Sequence, residues 1–194
     1  MPKLTNKHIE KIFINSSALL QGHFLLSSGR HSDKYIQCAK ILQDPEDTAR
    51  LMNHIAKSFI KDDIDIVISP AVGGIIVGYE LAHQLNVNSL FTERENGIMT
   101  LRRGFEIPPN SRVLVAEDVV TTGGSVKEVI SVVKSFGATL VGVALLADRS
   151  GGSVDFGVKT VAAYTTSVAS YEPIDCPICK NSNIALVKPG SKNM

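Results

Sequence analysis

Val113-Leu114-Val115-Ala116-Glu117-Asp118-Val119-Val120-Thr121-Thr122-Gly123-Gly124-Ser125 decides the reading of this chain. Its first half is a run of Val, Leu and Ala, the pattern of a strand buried on both faces. It ends on two adjacent carboxylates. A short loop of hydroxyl and glycine residues follows, and a helical pattern begins near Ser125. In an open α/β sheet, ligands bind beyond the carboxyl ends of the strands, where this loop sits. Glycines let backbone N–H groups approach a ligand closely, and the helix start adds unpaired donors and a positive dipole end. Such a loop is a phosphate cradle, to which Thr121, Thr122 and Ser125 add hydroxyl donors. Glu117 and Asp118 would repel a bare phosphate. They suit a hydroxyl-bearing group joined to it, and a ribose 5-phosphate has that layout.

The rest of the chain repeats the alternation. Short apolar runs at 64–68, 88–92, 112–116 and 140–147 alternate with helical patterns at 45–60, 74–85 and 124–136. That order predicts an α/β domain with a mostly parallel central sheet flanked by helices. A further helix is expected over 6–14, capped by Thr5 or Asn6, and the helix from 45 starts at Asp44-Pro45. Asn96-Gly97 between two apolar runs is a two-residue hairpin signal, so 90–106 is expected to project as a β-hairpin or loop.

Composition narrows the function classes. The chain has 194 residues, enough for a single domain with its own core against a prior of about 150 residues per domain. Twenty Lys and Arg against 19 Asp and Glu leave a net charge of +1, so an anion site has to be built locally rather than from bulk charge. That balance, with no basic stripe, argues against a nucleic-acid partner. No apolar run approaches the roughly 18 residues of a membrane span. Three cysteines form no disulfide framework. With no basic-then-apolar leader at Met1 to Leu4, the expectation is a cytoplasmic protein with no membrane partner.

Two other phosphate motifs are excluded. Gly73 to Gly78 has P-loop spacing, but Tyr79-Glu80 stands where Lys-Ser/Thr is required. A dinucleotide fingerprint places its acidic residue about 20 positions after the glycines, whereas here it precedes them.

The Glu117–Ser125 run resembles the phosphoribosyl-diphosphate (PRPP) motif of the type I phosphoribosyltransferases, and the resemblance extends over most of the chain. Its details are similar to the orotate branch of that family. Phe24 to Ser32 with Tyr35 resembles the N-terminal orotate-binding segment, Ser69 to Gly74 the loop that contacts pyrophosphate, and Asp148 to Gly152 the site of an arginine that pairs with the orotate carboxylate. The resemblance implies the type I fold, with a hood from about 1–43 and 165–194 over a core of about 44–164. It implies PRPP binding by Glu117, Asp118, Val119, Val120, Thr121, Thr122, Gly123, Gly124 and Ser125, and orotate binding by Thr121, Arg149, Ser28, Gly29 and Tyr35. It also implies Mg²⁺ held mainly by PRPP and a homodimer. The best-known branch carries lysines where Ser27 and Gly73 stand here, and a Lys- and His-rich mobile loop where this chain has 93–104. Arg94, Arg102 and Arg103 are the residues here that can serve the diphosphate. The expected product is orotidine 5′-monophosphate. The alternatives are a purine phosphoribosyltransferase and a non-catalytic PRPP-sensing regulator of the same fold.

Cys176-Pro177-Ile178-Cys179 is a CxxC in a Pro-rich stretch. Zinc sites take four ligands, and the sequence offers no second CxxC or neighbouring His pair. The expectation is therefore a tight turn in which the cysteines pack, with a metal shared across a dimer as the alternative. His8, His23, His31, His54 and His83 share no metal spacing and read as surface or structural residues.

Overall fold

The computed structural model describes residues 4–26 and 28–189. Met1 to Lys3, Ser27 and Gly190 to Met194 lie outside the described residues. In chain order the elements are α1 (Asn6–Asn15), β1 (Leu19–Leu25), β2 (His31–Ile36), α2 (Ala39–Leu42), α3 (Pro45–Ala56), β3 (Ile66–Pro70), α4 (Gly73–Leu85), β4 (Asn88–Glu95), β5 (Ile98–Leu101), β6 (Arg112–Val120), α5 (Gly124–Ser135), β7 (Thr139–Asp148), β8 (Lys159–Thr165) and α6 (Pro177–Asn181).

Six strands form the main sheet in the order β5-β4-β3-β6-β7-β8. All its pairings are parallel except β4 with β5. Alternate residues of the central strands feed two cores. Val67, Leu114, Ala116, Ala144 and Leu146 pack with the α1, α3 and α4 side chains. Ile66, Ile68, Val113, Val115, Val143 and Leu145 pack with Val126, Val129 and Val133 of α5. Covered on both faces, these strands have no polar side to show, which is why they read as continuous apolar runs. Each buried aliphatic side chain contributes about 1.5–3 kcal/mol.

The helix starts follow their capping residues. Thr5 caps α1, with His8 at N3 completing a reciprocal pair of bonds. Asp44 caps α3 by accepting from the Glu46 and Asp47 amides. That helix ends at Ala56, short of the expected 60, and turns carry the chain to Asp62. Asn96 and Gly97 both have positive φ, as a two-residue hairpin turn requires. The arm they close begins inside the sheet: Thr92 pairs with Pro70 of β3 and with Leu101 of β5.

Two features were not legible as strands. β1 and β2 form a separate antiparallel pair with a register shift between Gln21 and Phe24. Several of its backbone and side-chain groups are matched by the C-terminal segment. Leu25 N–H donates to the Val187 carbonyl at 2.8 Å, and Val187 N–H to the His23 carbonyl at 2.9 Å. His31 and Tyr171 exchange two backbone bonds of 2.8 Å, and Ser32 Oγ donates to the Ala169 carbonyl. The other is β8, which closes the far edge beside β7. α1 packs on this edge, with the Phe13 and Tyr164 rings stacked at 4.6 Å.

Candidate functional site

The cradle forms where β6 passes into α5. Gly123 takes φ +77°, and a Cβ there would lie 2.8 Å from Val154 and 2.9 Å from Phe156, so the position admits only glycine. No side chain caps α5, which leaves the N–H donors of its first turn to a ligand. They border a cavity of about 230 Å³ lined by Val119 to Val126 together with Glu117, Arg94 and Glu128.

Glu117 is buried and Asp118 half-buried at the base of this cradle. The Asp118 amide donates to Glu117 Oε1 at 3.1 Å, and the Val119 amide to Asp118 Oδ1 at 2.8 Å. Burial pushes both carboxyls up, and for Glu117 the adjacent Asp118 charge adds to it, taking the group to about 9. The Ser69–Gly74 segment closes on the pair from β3: a Cβ on Gly74 would lie 3.1 Å from Glu117 Oε1. Two crowded carboxyls of this kind suit a partner that donates hydroxyl hydrogens or carries positive charge.

Thr121 and Thr122 also line a second cavity of about 730 Å³, with Ser28, Tyr35 and Arg149 among its walls. The cradle and this cavity therefore meet along the same two residues. Arg149 follows β7, its amide bonded to the Val120 carbonyl at 2.8 Å. Its loop is braced by Asp148, which accepts from Ser150 and from the Gly152 amide. The Arg149 Nε is buried without a hydrogen-bond partner. Burial lowers the pKa of this guanidinium. A buried donor of this sort is completed by an anionic oxygen.

Gly29 forms the turn between β1 and β2 at φ +81° and borders neither cavity. Ser27 is outside the described residues. Phe24 is buried against Tyr35, their ring centroids 5.9 Å apart, and only Tyr35 lines the larger cavity.

The hairpin arginines separate. Arg94 borders the cradle and pairs with Glu128 at 2.5 Å. Arg102 pairs with Glu95 at 3.3 Å. Arg103 grips Glu93 through two bonds of 2.6 and 2.8 Å and holds that carboxyl below the usual range. Neither Arg102 nor Arg103 lines either cavity.

Arg30, inside the Phe24–Ser32 segment but given no role of its own, faces the larger cavity, as do Gln37 and Lys188, which the sequence did not single out. Arg30 is held there by Ser170 and Glu172. An isolated lysine near the chain end carries no local signal of such a role. His23 and His31 are buried rather than at the surface. The β1–β2 hairpin carries His23 and His31 to Cys176 and Cys179, an arrangement that no spacing along the chain displays.

A family model described as the phosphoribosyl transferase domain matches residues 39–162. An orotate phosphoribosyltransferase of Pelotomaculum thermopropionicum is 54% identical, the match covering 98% of this chain and 100% of the relative. One from Thermotoga maritima is 48% identical over 96% of this chain and 99% of its own. Among solved structures, orotate phosphoribosyltransferase from Aeropyrum pernix aligns with a TM-score of 0.68 at 29% identity, covering 81% of this chain and 93% of that one. Adenine phosphoribosyltransferase from Thermoanaerobacter pseudethanolicus aligns at 0.60 with 16% identity, covering 69% and 88%, a likeness of fold alone.

Proposed function

This chain belongs to the phosphoribosyl transferase family, and from that premise we infer the reaction of its site. It is an enzyme of the type I fold that transfers the phosphoribosyl group of PRPP to orotate, giving orotidine 5′-monophosphate and pyrophosphate in pyrimidine synthesis. One observation carries the assignment at the level of the site. An anion cradle with two carboxylates and a cavity walled by Arg149, whose Nε is buried without a partner, share the Thr121–Thr122 edge.

In this reading Val119 to Ser125 hold the 5-phosphate, while Glu117 and Asp118 accept hydrogen bonds from the ribose hydroxyls. Thr121, Arg149, Ser28 and Tyr35 receive orotate, with Arg149 on its carboxylate, while Gly29 only turns the chain between β1 and β2. A neutral purine offers no partner for that charge. The orotate ring nitrogen forms the new bond to the anomeric carbon as the bond to pyrophosphate breaks; orotate's own charge lies on its carboxylate, so the N–H proton of that nitrogen leaves to an oxygen of the departing pyrophosphate or to water. Positive charge developing on the ribose lies beside Asp118 and Glu117. Arg94 at the cradle, and Arg102 and Arg103 when the hairpin closes, take up charge on the diphosphate. Closure of 93–104 and a hood from the chain ends exclude water that would hydrolyse PRPP.

The crowded carboxyl pair fits a neighbouring divalent cation. Mg²⁺ arriving on the diphosphate would be held mainly by PRPP oxygens, with Glu117 and Asp118 as the nearby protein oxygens, and would neutralise the leaving pyrophosphate. A homodimer is supported by α4, where Ile76 and Tyr79 are exposed one turn apart beside exposed Val72. No helix among the described residues is long and apolar enough to cross a membrane. A cytoplasmic enzyme of small molecules, without nucleic-acid or membrane partners, agrees with the net charge of +1.

The test is turnover with Mg²⁺ and PRPP, offering orotate, adenine, hypoxanthine, xanthine and uracil separately. Orotate consumption with equal pyrophosphate release is the expected result. Preferential turnover of a purine would overturn the Arg149 assignment, and PRPP binding without any turnover would mark a sensor.

A further inference from the structure

His23 on β1, His31 at the start of β2, and Cys176 and Cys179 at the start of α6 are separated by up to 156 positions in the chain. Their four ligand-capable atoms nevertheless lie within 4.8 Å of one another. His23 Nε2 is 3.0 Å from His31 Nδ1 and 3.5 Å from each cysteine sulfur. Cys179 Sγ is 3.3 Å from His31 Nδ1. A tetrahedral zinc ion with Zn–N near 2.0 Å and Zn–S near 2.3 Å sets its ligand atoms about 3.3 Å (N to N) and about 3.6 Å (N to S) apart. These four separations match such edges to within about 0.3 Å.

The protonation pattern points the same way. His23 Nδ1 lies 3.1 Å from the Ile184 carbonyl, which only accepts, so Nδ1 carries the proton and Nε2 presents a lone pair. That lone pair faces three polar groups and can accept from only one of them in a good hydrogen bond. A backbone carbonyl that fixes the tautomer and leaves the other nitrogen free is the usual support of a metal-bound histidine. Both cysteines are free thiols, with His23, His31 and Cys176 buried and Cys179 exposed as the way in.

We propose that these four residues form a structural zinc site, one ion per chain, in which two thiol protons leave as the two sulfurs bind the metal. Two cysteines and two histidines make a closed set of ligands that select zinc and leave no position for substrate. The ion ties the β1–β2 hairpin to the C-terminal segment. The hairpin supplies Ser28, Arg30 and Tyr35 to the lining of the larger cavity, and the C-terminal segment supplies Ser170 and Lys188. The site therefore holds the cavity walls together, whichever base the cavity takes.

The experiment is metal analysis of the full chain, expressed with zinc in the medium and purified under reductant without chelator, by native mass and elemental analysis. About one zinc per chain is expected, falling at least tenfold in the C176S/C179S variant. Because that variant could misfold, zinc-stripped wild-type protein is also titrated with Co²⁺, which should give the intense visible bands of tetrahedral cobalt and a thiolate charge-transfer band. Less than a tenth of a zinc per chain together with no cobalt spectrum would overturn the site. So would zinc retained undiminished by C176S/C179S.

Discussion

Gly73 lies so close to Asp118 that a Cβ at position 73 would sit 2.4 Å from Asp118 Oδ2 and 2.9 Å from Oδ1. Asp118 is fixed on β6 by its bond from the Val119 amide, and Gly73 opens α4. Any side chain at 73 must displace the carboxylate. A lysine at this position is therefore incompatible with this arrangement, and glycine and carboxylate form one unit. Alanine suits a helix start, so Gly73→Ala should fold normally while misplacing Asp118. Misplacement of a positioned group by about 1 Å costs up to 10²-fold. We expect the PRPP KM of Gly73→Ala to rise roughly tenfold and the orotate KM to change less than about threefold. Unchanged steady-state constants for both substrates would show that Asp118 does not touch the ribose.

Glu117 yields a pH prediction of definite sign. Its carboxyl is raised from the ordinary 4.5 to about 9 in the folded chain, through burial first and the Asp118 charge second. The neutral form is favoured by folding, so its contribution is complete below about pH 4.5 and is lost as pH rises toward 9. Asp118 shifts in the same direction. The Tm of the free enzyme should fall across that interval, and Glu117→Gln should flatten the fall without abolishing it. Ribose hydroxyls and Mg²⁺ favour the carboxylate, so PRPP binding at neutral pH should release a proton. Calorimetry in two buffers of different ionisation enthalpy reads that proton, and the variant should release fewer.

The core was legible because it is governed by short-range chemistry. Val113 to Ala116 announce a doubly covered strand, Asp44-Pro45 a helix start and Asn96-Gly97 a hairpin, each within a few residues. Glu117 to Ser125 carry their cradle in one contiguous run. Elements that depend on distant partners were hidden. His31-Ser32-Asp33-Lys34-Tyr35-Ile36 shows no apolar alternation, because Ser32 and His31 are satisfied by Ala169 and Tyr171 from the other end of the chain. Arg30, Gln37 and Lys188 reach the larger cavity only through that same closure. His23 and His31 likewise meet the CxxC only once the hairpin and the C-terminal segment are paired.

The hairpin arginines should divide by kinetic constant. Arg94 already borders the cradle, so on the proposed reading it would meet PRPP in the ground state. Arg102 and Arg103 are engaged by Glu95 and Glu93 and can act only after the arm moves. Arg94→Ala should therefore raise the PRPP KM about tenfold, whereas Arg102→Ala and Arg103→Ala should lower kcat and leave that KM within about threefold. Loss of kcat alone in all three would mean that Arg94 too acts only in the closed arm.

We propose that Arg149 bears the specificity. Its Nε is buried with no partner, and it shares its cavity with Thr121 and Tyr35. A charge-assisted bond to a carboxylate contributes about 1.5–3 kcal/mol, which converts to roughly 10- to 100-fold in affinity. Arg149→Ala should raise the orotate KM by that factor and leave the PRPP KM within about threefold. Arg149→Lys restores charge without the planar fork, so it should fall between the two. Uracil makes the control, since it differs from orotate by lacking the carboxylate. Whatever slow turnover uracil supports should be nearly the same in wild type and Arg149→Ala, because the guanidinium has no anion to hold. If the variant lost orotate and uracil turnover in equal measure, Arg149 would be shaping the cavity rather than reading the carboxylate.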